Sequence, residues 1–223
     1  MCFSATASFV SGTVLTAIGV ATIAKAKRSQ MAFAAIPFLF GVQQFSEGVL
    51  WLTLSDPSAK QVSHAMTYMF LFFAQVIWPV WVPLSILLME TDSRRKKYLS
   101  YVLFIGAFVS VYLAWCILNF NVRAVVNLHH IHYELDYPNS IIPVGTAFYF
   151  LATVFPPFIS SKKTMSLLGF ALLGSFIFSR VFYGGFVISV WCFFAALLSA
   201  CILLVLAEVN KSVRENAVHP IQK

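Results

Sequence analysis

Two ionisable side chains, Glu47 and Arg180, fall well inside long apolar stretches of this chain. A charge at membrane depth is costly unless it is paired or solvated, so such groups face a helical interior. There they either clamp one helix to another or line a site for a polar ligand. Glu47 has polar company: Gln43, Glu47 and Trp51 recur at i, i+4 and i+8 on one helical face, with Gln44 beside them. His64 and Tyr68 continue the theme on the next apolar stretch, followed by Gln75 and Trp78. Gln43, Gln44, Glu47, Trp51, His64, Tyr68 and Arg180 together are expected to line a ligand pocket. The carboxylate and the guanidinium would orient a polar or charged molecule, and the aromatic rings would supply contact area.

A second constellation is His129-His130-Ile131-His132-Tyr133-Glu134, in the most polar stretch between two apolar segments. Imidazole, carboxylate and the Cys2 thiolate are zinc or copper ligand types. Cys2, His129, His130, His132 and Glu134 are therefore candidate metal ligands, although their spacing matches no closed structural site. A solvated loop and a pH sensor are the competing readings. Cys116, Cys192 and Cys201 show no C-x-x-C spacing and read as small packing residues. Retinal is not expected, because 186–209 contains no lysine to form a Schiff base. Bis-histidine haem is not expected either, because only His64 lies at a helix.

These groups need elements to hold them. Of the 223 residues 60% are hydrophobic and 10% charged, and the mean hydropathy is +0.83. A soluble domain has about 25% charged residues, so the composition excludes a soluble globular protein and a disordered chain. It predicts an all-α integral membrane protein whose first partner is the lipid bilayer. A spanning helix takes about 20 apolar residues, and seven stretches qualify: 7–24, 31–54, 63–89, 99–120, 141–160, 165–183 and 186–209. The expectation is one seven-helix domain, 1–209, with a histidine-rich outer loop at 121–140 and a short cytoplasmic tail at 210–223.

Basic residues accumulate on the cytoplasmic side. Lys25, Lys27 and Arg28, then Arg94 to Lys97, then Lys162 and Lys163, then Lys211, Arg214 and Lys223 fall at alternate ends of the spans. Only Lys60 and Arg123 lie at the opposite ends. The N-terminus is therefore expected outside and the C-terminus inside, and the net charge of +7 records orientation. Nucleic acid is not an expected partner. Gly41-x-x-x-Phe45-Ser46-Glu47 aligns with Gly174-x-x-x-Phe178-Ser179-Arg180, consistent with a parallel 3+1+3 repeat. Pro79, Pro83, Pro156 and Pro157 predict bends, which would let the cytoplasmic half open.

The opening Met1-Cys2-Phe3-Ser4-Ala5-Thr6-Ala7-Ser8-Phe9, with Gln43-Gln44-x-x-Glu47-Gly48-x-x-Trp51, resembles an uncharacterised bacterial multi-pass membrane-protein family. The resemblance implies a location in the bacterial cytoplasmic membrane and brings no activity with it. In plan alone, seven helices with the N-terminus outside are similar to the SWEET and PQ-loop proteins, without the Pro-Gln dipeptide. The preferred reading is a small-molecule-binding transporter or receptor. The alternatives are a zinc or copper membrane enzyme or redox protein, and an accessory subunit whose partner is a membrane complex or a second copy.

Overall fold

The computed structural model describes residues 4–127, 130–138 and 142–218. Among them six helices are long and apolar enough to cross a membrane. They are α1 (Ala5–Lys25), α2 (Arg28–Thr53), α3 (Pro57–Met89), α4 (Ser93–Asn119), α6 (Lys163–Phe182) and α7 (Gly184–Lys211). Between α4 and α6 comes the shorter α5 (Ile142–Val154), followed by a separate turn, Pro156–Ile159. The expected span 141–160 is thus divided. Pro156 and Pro157 have no N–H to give to the preceding turn and crowd its carbonyls, so the α5 helix stops before them. Its 13 residues rise about 20 Å, less than the hydrocarbon thickness of about 30 Å. At the C-terminal end α7 turns at Ala200 and Cys201, and helix continues to Val218, so the tail expected from 210 starts as helix.

The outward faces suit lipid. On α4, Tyr101, Phe104, Phe108, Val111, Trp115 and Leu118 follow i, i+3, i+7 spacing and are all exposed, Phe104 at 75% and Leu118 at 78%. A continuous aromatic and aliphatic stripe of that length is not sustained against water.

Small residues set the closest helix pair. Ser8, Gly12, Gly19 and Thr22 lie on the buried stripe of α1, which crosses α2 at Gly41. A Cβ on Gly41 would stand 2.4 Å from the Thr16 hydroxyl and 3.0 Å from the Gly12 carbonyl. The backbones touch because neither side has bulk, as in small-xxx-small helix pairs.

Helix α3 changes pitch in its middle, where Phe72–Ile77 is π-helical and Pro79 and Pro83 follow. Carbonyls left over by this break find partners on neighbouring helices. Ala74 O accepts from the Tyr149 hydroxyl of α5, and Val76 O accepts from Ser110 Oγ of α4 at 2.7 Å. The Pro79 carbonyl, which Pro83 cannot bond, packs onto the backbone of Gly106. The break is therefore cross-braced on two sides.

The basic segments that close α1, α3 and the Pro156–Ile159 turn gather with α7 at one end. Arg95 Nη1 donates to Ile159 O and Ser160 O at 2.7 and 2.9 Å, and Gln30 Nε2 donates to Asn210 Oδ1 at 3.0 Å. Glu90, only 3% exposed, ties the α3–α4 turn to Ser161. Its carboxylate accepts from the backbone N–H of Thr91, Asp92 and Ser161 and from the Ser161 hydroxyl. Burial works to raise the pKa of Glu90, but these hydrogen bonds outweigh it and hold the pKa at about 2, against an ordinary 4.5. A depressed carboxyl pKa stabilises the fold above the unfolded value and loses that contribution as pH falls through the folded one. Glu90→Gln is accordingly expected to melt lower than the wild type at pH 7. The gap should close as pH falls from 4.5 towards 2; a gap independent of pH would contradict this role.

At the other end the expected loop 121–140 carries an antiparallel hairpin, β1 (Val122–Asn127) and β2 (His130–Leu135). The register places Arg123 opposite Glu134, Val125 opposite His132, and Asn127 opposite His130. Ile131 and Tyr133 alternate with the histidines and are buried, and Tyr133 stacks on Phe70 of α3 with ring centroids 4.8 Å apart. The paired strands are therefore a cover packed on the helices through one strand face, an addition to the all-α plan.

Candidate functional site

The polar face of α2 is the most deeply buried feature the residue pattern pointed to. Gln43, Gln44 and Glu47 have no exposure at all, and each reaches a different helix. Gln43 Oε1 accepts from the Trp78 indole of α3 at 2.8 Å, and that indole stacks on Phe40 with centroids 3.9 Å apart. Glu47 Oε1 accepts from the Ser189 hydroxyl of α7 at 2.6 Å. The Ser11 hydroxyl of α1 stands 3.2 Å from the Gln44 side-chain amide and 2.8 Å from the Ala7 carbonyl. One hydroxyl proton cannot serve both acceptors. The hydroxyl donates to the Ala7 carbonyl or to Gln44 Oε1, and the buried Gln44 Nε2 has no partner among the described residues. These residues form a hub that fixes α1, α3 and α7 around α2.

The remaining expected pocket residues do not join that hub in one cavity. Trp51 and Tyr68 pack against the apolar cluster under the hairpin. His64 is exposed and rests against the Tyr68 ring, 4.6 Å between centroids. Arg180 is exposed and makes no ion pair with Glu47 among the described residues. The aligned heptads of α2 and α6 also differ in surroundings. Gly41 is tightly packed, whereas a Cβ on Gly174 would meet nothing within 4 Å.

Arg180 instead lines a cavity of about 410 Å³ towards the hairpin end. Helices α3, α4, α5, α6 and α7 contribute Gln75, Tyr112, Tyr149, Arg180 and Trp191, and the segment after β2 contributes Tyr137. Leu113, Phe176, Val187 and Ile188 supply apolar wall. The Tyr137 hydroxyl donates to Gln75 Oε1 at 2.8 Å. Burial, foremost, raises the pKa of this phenol far above its ordinary value, which keeps it a donor. Cys192 also lines the cavity, and its thiol is in electrostatic contact with Gln43 and Glu47. It is the partition between cavity and hub.

The histidine segment is placed by the hairpin. His132 Nδ1 donates to the Gly185 carbonyl at 2.6 Å, and His130 packs on Phe186 and Tyr183. These contacts tether β2 to the start of α7. Glu134 is exposed on the same strand face. Cys2 and His129 lie outside the described residues. Among the described residues, which include His130, His132 and Glu134 of the expected set, no group of three His, Cys, Asp or Glu side chains converges.

Residue spacing pointed to Gln75 and Arg180 but passed over Tyr112, Tyr137, Tyr149 and Trp191. The available signal was chemical: tyrosine and tryptophan in lipid-depth helices carry a polar tip that needs a partner. The chain belongs to a family of unknown function, DUF6629, whose model matches residues 1–218. No curated protein and no solved structure matches it.

Proposed function

We propose that this is a membrane protein that binds a small molecule in the cavity beside Arg180, as a carrier or receptor. The observation that carries the reading is the cavity itself: about 410 Å³, within the range of ligand sites, with a guanidinium in its wall. Arg180 has no ion pair among the described residues, so its guanidinium is available to a polar guest. The ligand-binding role thus moves from the α2 face to the space between α3 and α7.

Orientation belongs to the same proposal. The basic clusters share one end, so that end is cytoplasmic and the hairpin end, with the cavity, faces outward. An outside N-terminus and an inside C-terminus require an odd number of crossings. Six long helices give an even number, and α5 with the Pro156–Ile159 turn supplies the seventh, thinning the bilayer locally. In a bacterium, as the resemblance implies, the membrane is the cytoplasmic one. The π-helical segment lines the cavity through Ala74 and Gln75, and Pro157, beyond the α5 break, lines the smaller space towards the basic end, where a carrier needs to bend.

The test is a thermal-shift screen of purified protein against small polar and charged metabolites, followed by Gly145→Trp. Gly145 lines the cavity, and a Cβ there meets nothing within 4 Å, so the indole fills the cavity and leaves the helices in place. A ligand that raises the melting temperature of the wild type and has no effect on this variant is the expected result. A ligand whose stabilisation survives Gly145→Trp, or a screen without any stabilising ligand, would refute the reading. Uptake of that ligand into proteoliposomes distinguishes a carrier from a receptor.

A further inference from the structure

Hydrogen-bonding capacity around the cavity is spent unequally. The Tyr112 and Thr146 hydroxyls, which can donate or accept, are part of its polar lining. Two of its acceptors are already used: Gln75 Oε1 takes the Tyr137 hydroxyl and Ala74 O takes the Tyr149 hydroxyl. Its donors are not. Gln75 is 7% exposed, and its side-chain NH2 has no partner among the described residues. The Trp191 indole N–H is buried without an acceptor. Arg180 adds a fixed fork of N–H groups with no ion pair among the described residues, and no aspartate or glutamate lines the cavity. Leaving buried donors unmade is costly, so the component that completes this wall is an acceptor, and beside a guanidinium the strongest acceptor is an anion.

The other walls choose the rest of the ligand. Leu113, Leu135, Phe176, Val187 and Ile188 surround the donors. Tyr149, Trp191 and Cys192 also line a second, smaller cavity of about 70 Å³ towards the basic end, with Phe40, Ile86 and Leu168 among its apolar walls. The two spaces share Tyr149, Trp191 and Cys192 as wall. We infer that the ligand is an amphipathic monoanion: one carboxylate or phosphodiester held by Arg180 and Gln75, and an apolar body lying against Trp191. This rests on the cavity reading above. One guanidinium matches one negative charge, and a dianion would keep an uncompensated charge in an apolar space.

The probes are 4-phenylbutyrate, its amide and 4-phenylbutylamine, which share one body and differ in charge. Binding is followed by tryptophan fluorescence and by melting temperature in detergent. The carboxylate is expected to bind at least tenfold tighter than the amide or the amine. Arg180→Gln should lose that preference while the ligand-free melting temperature stays within a degree or two of wild type, because Arg180 is exposed and holds no ion pair among the described residues; Arg180→Lys should retain part of it. Phosphatidylglycerol and phosphatidylcholine added to the micelles separate the sources of the anion. An Arg180-dependent signal from phosphatidylglycerol alone upholds the anionic class and assigns it to a lipid headgroup. If the amide or the amine binds as tightly as the carboxylate, the anion assignment is wrong and the cavity reading stands. If neither the probes nor the lipids bind while the screen yields a Gly145→Trp-sensitive uncharged ligand, the anion assignment again falls alone. If nothing binds in either experiment, both fall.

Discussion

Gly106→Ala is expected to abolish most of the folded protein. A Cβ at this position would stand 1.9 Å from the Pro79 carbonyl oxygen and 3.3 Å from the Ala152 Cβ. The obstructing atom is backbone, so no rotamer change clears it, and α3 and α4 must separate by about 1 Å or more at the point where α5 also meets them. Overpacking of a core costs roughly 1–3 kcal/mol when side chains can adjust, and here they cannot, so the penalty belongs at or above the top of that range. The separation would also pull Ser110 away from the Val76 carbonyl, undoing one of the braces that the π-helical break depends on. Gly174→Ala is the control. It lies in open space in the interior of α6, and the better helix propensity of alanine makes it neutral or stabilising by up to about 1 kcal/mol. Fluorescence-detected size-exclusion of both variants across a temperature series measures the difference. Equal melting temperatures would show that the close approach at Gly106 is not a constraint on the fold.

Gly106 also illustrates what the residue pattern could and could not convey. Apolar length located the long helices, with ends differing by up to six residues at Pro57 and Ser93, because the requirement it reflects is local: each backbone polar group in lipid must be satisfied inside its own segment. Whether 141–160 crosses as one helix was not local in that sense. Its composition is apolar throughout, and only the Pro156-Pro157 pair marked where the helix divides. The hairpin was legible in principle, since His130-Ile131-His132-Tyr133-Glu134-Leu135 alternates polar and apolar with period two. Its apolar face, Ile131 and Tyr133, seats the strand on α3.

For the site, spacing identified the buried polar face of α2 but not its use. Gln43, Gln44 and Glu47 share a face, and the same face can serve a ligand or three neighbouring helices; only the partners Trp78, Ser11 and Ser189 decide. Glu47 and Arg180 are the two charges well inside apolar stretches, and as such could clamp one helix to another. The pair does not form among the described residues, because α6 presents Arg180 to the cavity whereas α2 turns Glu47 into the packed centre. Tyr137 and Tyr149 could not be placed in the wall from spacing, since their roles come from contacts across 62 and 75 residues of chain.

Glu47 provides the second large effect and separates hub from cavity. Glu47→Ala removes a fully buried side chain and takes from Ser189 its carboxylate acceptor at 2.6 Å. Truncating a buried side chain of this length costs about 2–5 kcal/mol, and loss of a buried acceptor adds about 1–3 kcal/mol. A combined loss of about 4 kcal/mol is a large part of the stability of most domains. Glu47→Gln keeps a carbonyl oxygen for Ser189 and the same shape, and should stay within about 1 kcal/mol of wild type. In a double-mutant cycle, adding Ser189→Ala to Glu47→Ala should cost less than the separate effects summed, because the hydroxyl that lost its acceptor is gone. Full additivity would mean the contact carries no energy. The same Glu47→Gln protein should bind the cavity ligand as wild type does, while Arg180→Gln does not. If the two variants weaken binding equally, Glu47 and Arg180 serve one site, and the wall at Cys192 does not divide them.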